Sequence, residues 1–374
     1  MKTELMSWFD MEAPIFAFSH CRDVVAAVSR AGGLGVLGTT HVTPEQLDLE
    51  LNWIDEHCDG RPYGVDVMFA SNPPKEAEGL TADDFERVIP EEHRNFVESV
   101  MDRYEVPKLP ADESRQVLEE YMADLLRTHA EAEKRLEVVY RHPTAKLIVS
   151  ALGVPPQHQI DRAHDLGLKV GALVGHPKHV KYHKNAGVDM LIAAGWEAAG
   201  HTGDIATFVL TPQIVDEAGS IPVCHAGGVS DGRQIAAAMA LGAQAVWTGT
   251  IWLATAEAET SELIKEKMFA ATSGDTIRSR CGTGKPTRRM VSGWTDAWEE
   301  EGAPKPLPMP YQSMLINEAL YRMDKFEPKE LVTYPAGQGV GMIHQRSEVR
   351  HVVYKLLEEF GDAVVNLNQT IEGE

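Results

Sequence analysis

A single histidine, His201, stands among small residues in the run Gly195-Trp196-Glu197-Ala198-Ala199-Gly200-His201-Thr202-Gly203. An imidazole in so open a setting stays accessible, and its proton affinity lies near enough to neutrality to serve proton transfer. Glu197 is the nearest carboxylate, and the turn leaves open whether it joins that chemistry or points to solvent. Two glycine turns follow, Gly227-Gly228 and Gly249-Thr250. Without a Cβ in the way, backbone N–H groups at such turns can close on an anion where a helix begins, and a phosphate suits that place.

Each of these features ends a short apolar run: Met190 to Ala194 before His201, Ile221 to Cys224 before Gly227, and Ala245 to Thr248 before Gly249. The runs do not alternate apolar with polar, so they read as strands buried on both faces. Interleaved with helical patterns, to Glu217 and from Asp231 to Leu241, they imply βα units in a parallel sheet. The same rhythm extends backwards through Ala13 to Phe18, Tyr63 to Phe69, Lys146 to Ser150 and Lys169 to Val174. The predicted fold is a (β/α)8 TIM barrel with a helical insertion after strand three and a C-terminal helical extension. In such a barrel the active site occupies the C-terminal rim, and the loops after strands seven and eight commonly hold a phosphate. The expected division is a barrel from residues 1–71 and 143–300, an insertion over 72–142, and an extension over 301–374 packing on the barrel.

With those residues in view, the chain resembles the nitronate monooxygenase family, also called the 2-nitropropane dioxygenase family. Gly195 to Gly203 looks like its glycine and histidine signature, Pro222-Val223-Cys224-His225-Ala226-Gly227-Gly228-Val229-Ser230-Asp231-Gly232 like its phosphate loop, and Gly249-Thr250-Ile251-Trp252-Leu253-Ala254-Thr255 like its final strand turn. The resemblance implies FMN as cofactor, its phosphate held by Gly227, Gly228, Gly249 and Thr250. It also implies a flavin ring packed against the end of the first strand at Pro14, Ile15 and Phe16, with Asp66, Ala194 and Gly195 in the same pocket. His201 would take an acidic C–H proton from a nitroalkane or assist an already formed nitronate, and O2 would complete the oxidation to a carbonyl compound and nitrite. The chain departs from the family pattern at Ile15 (commonly Met), Asp66 (Asn), Ala194 (Gln) and His225 (a small or aliphatic residue), changes expected to ring the pocket and bear on the substrate. Two other readings stay open: an NAD(P)H:quinone or enoyl-acyl-carrier-protein reductase on the same scaffold, and a barrel that binds a ligand without catalysis.

Composition narrows the partners. A formal charge of −21 and a pI near 5.1 argue against a nucleic-acid backbone or an anionic membrane surface, both of which reward Lys and Arg patches. Four scattered cysteines without a CxxC pair, no apolar segment near the roughly 20 residues needed to span a bilayer, and no signal-peptide core at the N-terminus make a reduced, cytoplasmic protein the expectation. Its expected partners are a small-molecule substrate and O2, with a homo-oligomer left open.

Several patterns suggest other chemistry and are set aside. Gly33 to Gly38 matches GxGxxG, yet a helix precedes it and a strand runs through it, the reverse of a dinucleotide fingerprint. Gly282-Thr283-Gly284-Lys285 lacks the first P-loop glycine and is followed by Pro286 where Ser or Thr is required. His176, His179 and His183 share a helical face, but a peripheral helix would turn them to water and no Cys or carboxylate completes a set, so no metal is expected. In the insertion, Val117, Leu118, Tyr121, Met122, Leu125 and Leu126 form one apolar stripe, suited to a lid, to packing or to a subunit interface. Tyr334 to Gly341 resembles the family's C-terminal glycine and glutamine segment, which returns to the flavin pocket; a plain turn between helices is the alternative.

Overall fold

The computed structural model describes residues 2–40, 42–68, 81–130 and 132–373. Eight parallel strands close into a barrel in chain order: β1 (Ile15–Ser19), β2 (Leu34–Gly38), β3 (Tyr63–Asp66), β4 (Ala145–Ser150), β5 (Lys169–Val174), β6 (Met190–Ala194), and then, past a two-residue strand β7 (Gly200–His201) that lies outside it, β8 (Val223–Ala226) and β9 (Ala245–Thr248). β9 returns to β1, with Phe16 level with Trp247. The predicted barrel is therefore present. Asn72 and the Pro73-Pro74 pair lie outside the described residues, as does the Phe69 end of the predicted third strand.

Alternation along the strands sorts two cores. Phe16, Leu34, Val36, Leu147, Val149, Met190, Ile192, Ala194, Cys224, Ala226 and Trp247 fill the barrel interior. The intervening residues, such as Tyr63, Val65, Val170, Leu191 and Ala193, meet the outer helices. Helix α1 (Glu4–Trp8) plugs the N-terminal mouth: Leu5 and Phe9 join the interior core, and Phe9 sits edge-on to Phe16 at 5.9 Å. That mouth is closed, so only the C-terminal rim is available to a ligand.

The peripheral helices begin with α2 (Arg22–Arg30) and α3 (Pro44–His57), the latter started by Thr43 and Gln46 in a reciprocal cap with proline at its first position. The insertion supplies α4 (Phe85–Val88), α5 (Glu91–Arg103), α6 (Ala111–Ala130) and α7 (Ala132–Val139). Then come α8 (Gln157–Asp165), α9 (Val180–Ala186), α10 (Thr207–Ala218), α11 (Gly232–Ala240), α12 (Thr250–Leu253) and α13 (Glu262–Ala270). After the barrel, β10 (Thr276–Ser279) and β11 (Thr287–Met290) form an antiparallel hairpin whose far edge pairs with β7. The chain ends in α14 (Gly293–Glu299), α15 (Tyr311–Phe326) and α16 (Val349–Glu372).

The two halves of the C-terminal extension pack differently. α16 lies on α11 and α2, so closely that a Cβ at Gly232 would meet the Phe360 backbone at 2.2 Å. α15 and α14 instead build a separate core with the insertion, in which Val97, Val100, Met101 and Met122 meet Trp294, Trp298, Met314 and Ala319. Buried Arg322 joins α15 to α5, donating to Glu98 at 2.8 Å and to the carbonyls of Val106 and Pro107 at 2.9 Å. Val117 and Met122 of the predicted stripe are buried and Leu118 and Tyr121 half-buried against this core, while the side chains of Leu125 and Leu126 lie outside the described residues. No helix among the described residues is long and apolar enough to cross a membrane.

Candidate active site

Three rim turns and a returning loop meet above β6, β8 and β9. Thr207, the first residue of α10, is the centre of the packing: a Cβ at Gly195 or at Gly227 would fall 2.2 Å from its hydroxyl oxygen, which explains glycine at both places. Gly228 has a left-handed backbone, φ +69, and lies against Glu197. The Tyr334 to Gly341 loop does return here. Gly337 donates its N–H to the Thr250 hydroxyl at 2.9 Å, Gln338 donates to the Glu197 carbonyl at 3.0 Å, and Gly339 fits against Gly228 and Ser230.

The helix start behind the Gly227-Gly228 turn is already satisfied from within. Gln234 accepts from the N–H groups of Ser230 and Asp231, Asp231 from that of Arg233, and Glu359 of α16 from that of Gly232. What remains for an anion lies one step earlier. No hydrogen bond of the described residues uses the N–H of Gly228, Gly249 or Thr250, and the Ser230 hydroxyl, in a residue 5% exposed, is buried without a partner. A Cβ at Gly249 would meet nothing closer than the Phe18 carbonyl at 4.0 Å, so this turn opens onto space. An orphaned buried hydroxyl beside bare backbone donors fits a phosphate.

His201 leaves this cluster on the same loop and enters the antiparallel edge of β7, opposite Thr287 of β11. The residue is exposed, with its ring hydrogen-bonded to the Pro286 carbonyl. Crowding by protein atoms pulls its pKa below that of free imidazole; Lys285 and Arg289 push the same way and the Pro286 carbonyl opposes them. The loop is braced by Trp196, whose ring meets the guanidinium groups of Arg278 at 4.6 Å and Arg288 at 5.3 Å. Arg278 also holds Thr202 and Asp204. None of these braces is legible in the sequence, since each joins residues far apart in the chain.

The other expected residues separate into those at the mouth and those away from it. Asp66 is flanked by the outward-facing Val65 and Val67, so its side chain points into the barrel at the rim; it is 6% exposed, and burial pushes its pKa up to about 7 despite the Ala151 N–H. Ala194 faces the interior at the end of β6. Pro14, Ile15 and Phe16 do not reach the rim. Pro14 and Ile15 lie at the opposite end of β1, Ile15 packs outward among α2 residues, and Phe16 meets the α1 plug. The rim end of β1 carries half-buried Phe18 and exposed His20, whose Nδ1 lies 3.0 Å from the Gly38 carbonyl. His225 also departs from expectation: it faces α10, bonded to the Thr211 hydroxyl at 2.7 Å, and burial lowers its pKa to about 4. It is a neutral packing residue and does not line the pocket.

Glu197 neither faces solvent nor joins His201. It accepts from the N–H of Thr207 at 2.7 Å and from the same residue's hydroxyl, capping α10. Of His176, His179 and His183, His183 is buried, contrary to the expectation that all three face water, and the His176 ring accepts from the Lys178 N–H at 3.1 Å.

A family model described as nitronate monooxygenase matches residues 8–359. The chain belongs to the nitronate monooxygenase family. It is 44% identical over 382 residues to a Mycobacterium tuberculosis protein that bears a provisional monooxygenase name, with all of both chains covered. Among solved structures, nitroalkane oxidase from Streptomyces ansochromogenes aligns with a TM-score of 0.78 and 25% identity, over 98% of this chain and all of that one. FabK from Thermotoga maritima aligns with a TM-score of 0.74 and 25% identity over 99% of each. As a member of this family the chain is a flavin oxidoreductase acting on a small molecule.

Proposed function

We propose that the protein is an FMN-dependent nitronate monooxygenase, oxidising alkyl nitronates, and nitroalkanes where it can deprotonate them, with O2. The family match over residues 8–359 carries this reading of the substrate. The cradle carries the reading of the cofactor: Gly228, Gly249 and Thr250 offer backbone donors and Ser230 a hydroxyl to one phosphate, with no second nucleotide fingerprint that would call for FAD. Asp66, Ala194 and Gly195 lie toward the ring, with Phe18 and Trp247 replacing Pro14, Ile15 and Phe16. Bound there, FMN would supply the electron transfer by which a nitronate and O2 become a carbonyl compound and nitrite.

The chain's own contribution is a proton acceptor. His201 is accessible, donates one ring N–H to the Pro286 carbonyl and is biased toward the neutral imidazole, which leaves the other nitrogen free to take an acidic C–H proton. Asp66, protonated below about pH 7, puts a neutral hydrogen-bonding group at the mouth where an ionised carboxylate would repel an anionic substrate. Four cysteines, all unpaired, suit a reduced compartment, and we assign the protein to the cytoplasm.

The likeness to FabK favours one second reading, a flavin reductase that draws on NADH or NADPH. Anaerobic mixing of the purified yellow protein with a nitronate, NADH and NADPH in turn separates the two. Bleaching by the nitronate alone is expected; rapid bleaching by either nicotinamide would replace this reading with the reductase.

A further inference from the structure

Arg289 on β11 is 9% exposed, yet its Nε and Nη1 have no hydrogen-bond partner. Other arginines of the chain meet carboxylates: Arg278 meets Asp204 at 2.6 Å, Arg322 meets Glu98 at 2.8 Å and Arg233 meets Asp231 at 2.8 Å. No ion pair among the described residues neutralises Arg289. A buried, unpaired guanidinium is costly to keep, so its position calls for a reason.

The register supplies one. His201 pairs with Thr287, and Arg289 is two residues further along β11, so the two side chains share a face of the small sheet as a diagonal pair, about 7 to 8 Å apart at the backbone. On β10 the same face carries Ile277 and Ser279, neither charged. Behind Ser279, Glu299 of α14 accepts that hydroxyl at 3.2 Å. The turn between β10 and β11 adds exposed Lys285 and the Pro286 carbonyl. The charges acting on His201 are thus Lys285, which is exposed and screened by water, and Arg289, which is buried.

We propose that Arg289 is a positioning residue for His201: its buried positive charge disfavours an imidazolium beside it and holds the ring as the free base that a proton acceptor must be. The inference rests on His201 as proton acceptor, and it adds the group that sets its protonation state. Any proton that His201 takes must then pass on quickly, because the imidazolium is formed next to a fixed cation.

The test is the titration of His201, followed by NMR of protein carrying 13C-labelled histidine, with the signal assigned by its loss in His201→Asn. Arg289→Met and Arg289→Gln should raise the midpoint, on the order of half a pH unit, and move the acid limb of the kcat/KM profile upward with it. Arg289→Lys should leave both near wild type, and Lys285→Met should shift them less, an effect that salt imitates. Should Arg289→Met fail to fold, Arg289→Gln or the smaller Arg289→Ala supplies the same neutral comparison. An unmoved midpoint in the folded neutral variant, or an equal shift in Arg289→Lys and in that variant, overturns the proposal. Failure of the protein to oxidise a nitronate would count against the proposed function and leave this titration unchanged.

Discussion

Glu197 accepts hydrogen bonds from both the backbone N–H and the hydroxyl of Thr207, the residue on which Gly195 and Gly227 are packed. One carboxylate therefore fixes the start of α10 and, through Thr207, the turns after β6 and β8. Its carbonyl in turn accepts from Gln338 of the returning loop.

A capping role and a catalytic role for Glu197 give opposite results on substitution. Glu197→Gln keeps an acceptor oxygen for the Thr207 N–H, so activity within a few-fold of wild type is expected. Glu197→Ala should lower stability by about 1 to 2 kcal/mol, as loss of a helix cap does. Urea unfolding and steady-state assays of both variants read this out, and a large loss of kcat in a stable Glu197→Gln protein would restore it to the chemistry.

The glycine turns divide into packing and binding positions. Gly249→Ala places a methyl group in open space, at an ordinary negative φ, and should melt as the wild type does while losing FMN. Gly227→Ala drives its Cβ into Thr207 and should be destabilised by roughly 1 to 3 kcal/mol before any question of cofactor arises. Flavin content after denaturation, set beside thermal midpoints, checks both; full FMN occupancy in Gly249→Ala would mean that the phosphate binds elsewhere.

These turns were legible because each ends a continuous apolar run, and β5, β6 and β9 begin and end where the sequence puts them. The β1 assignment failed for a physical reason. The resemblance puts the end of the first strand at Pro14 to Phe16, whereas these residues stand at the start of β1 and its rim end is at Ser19. His225 misled similarly, since only its Thr211 partner reveals that it faces α10. The hairpin β10–β11 was not legible, because its pairing with Gly200 and His201 spans more than eighty residues and leaves no local periodicity.

Asp66 should make stability depend on pH. Its folded pKa, about 7, exceeds its ordinary value of 3.8, so the folded state holds a proton that the unfolded chain has released. That contribution is complete below about pH 4 and is lost as pH rises toward 7. Asp66→Asn removes the loss: relative to wild type, the variant should gain stability between pH 4 and 7, by at most roughly 4 kcal/mol at about 1.36 kcal/mol per pH unit. Urea midpoints at pH 4.5, 6 and 8 give the comparison, and a difference that does not change with pH would mean that Asp66 is ionised throughout.

His201→Asn should separate two substrates. A neutral nitroalkane must lose a C–H proton before it can be oxidised, whereas a preformed nitronate has already lost it. Asparagine cannot accept that proton, and removal of a positioned base costs about 100-fold to 10,000-fold. The expected result is a loss of that size with the nitroalkane, where the wild type accepts one, and a much smaller loss with the nitronate, at unchanged flavin content. His201 stands at the edge of β7, where a change of side chain leaves the backbone pairing with β11 in place, so the fold should survive. Equal and small losses on both substrates would take His201 out of proton transfer and leave Asp66 as the titratable group at the mouth, since Glu197 is committed to Thr207 and His225 to Thr211.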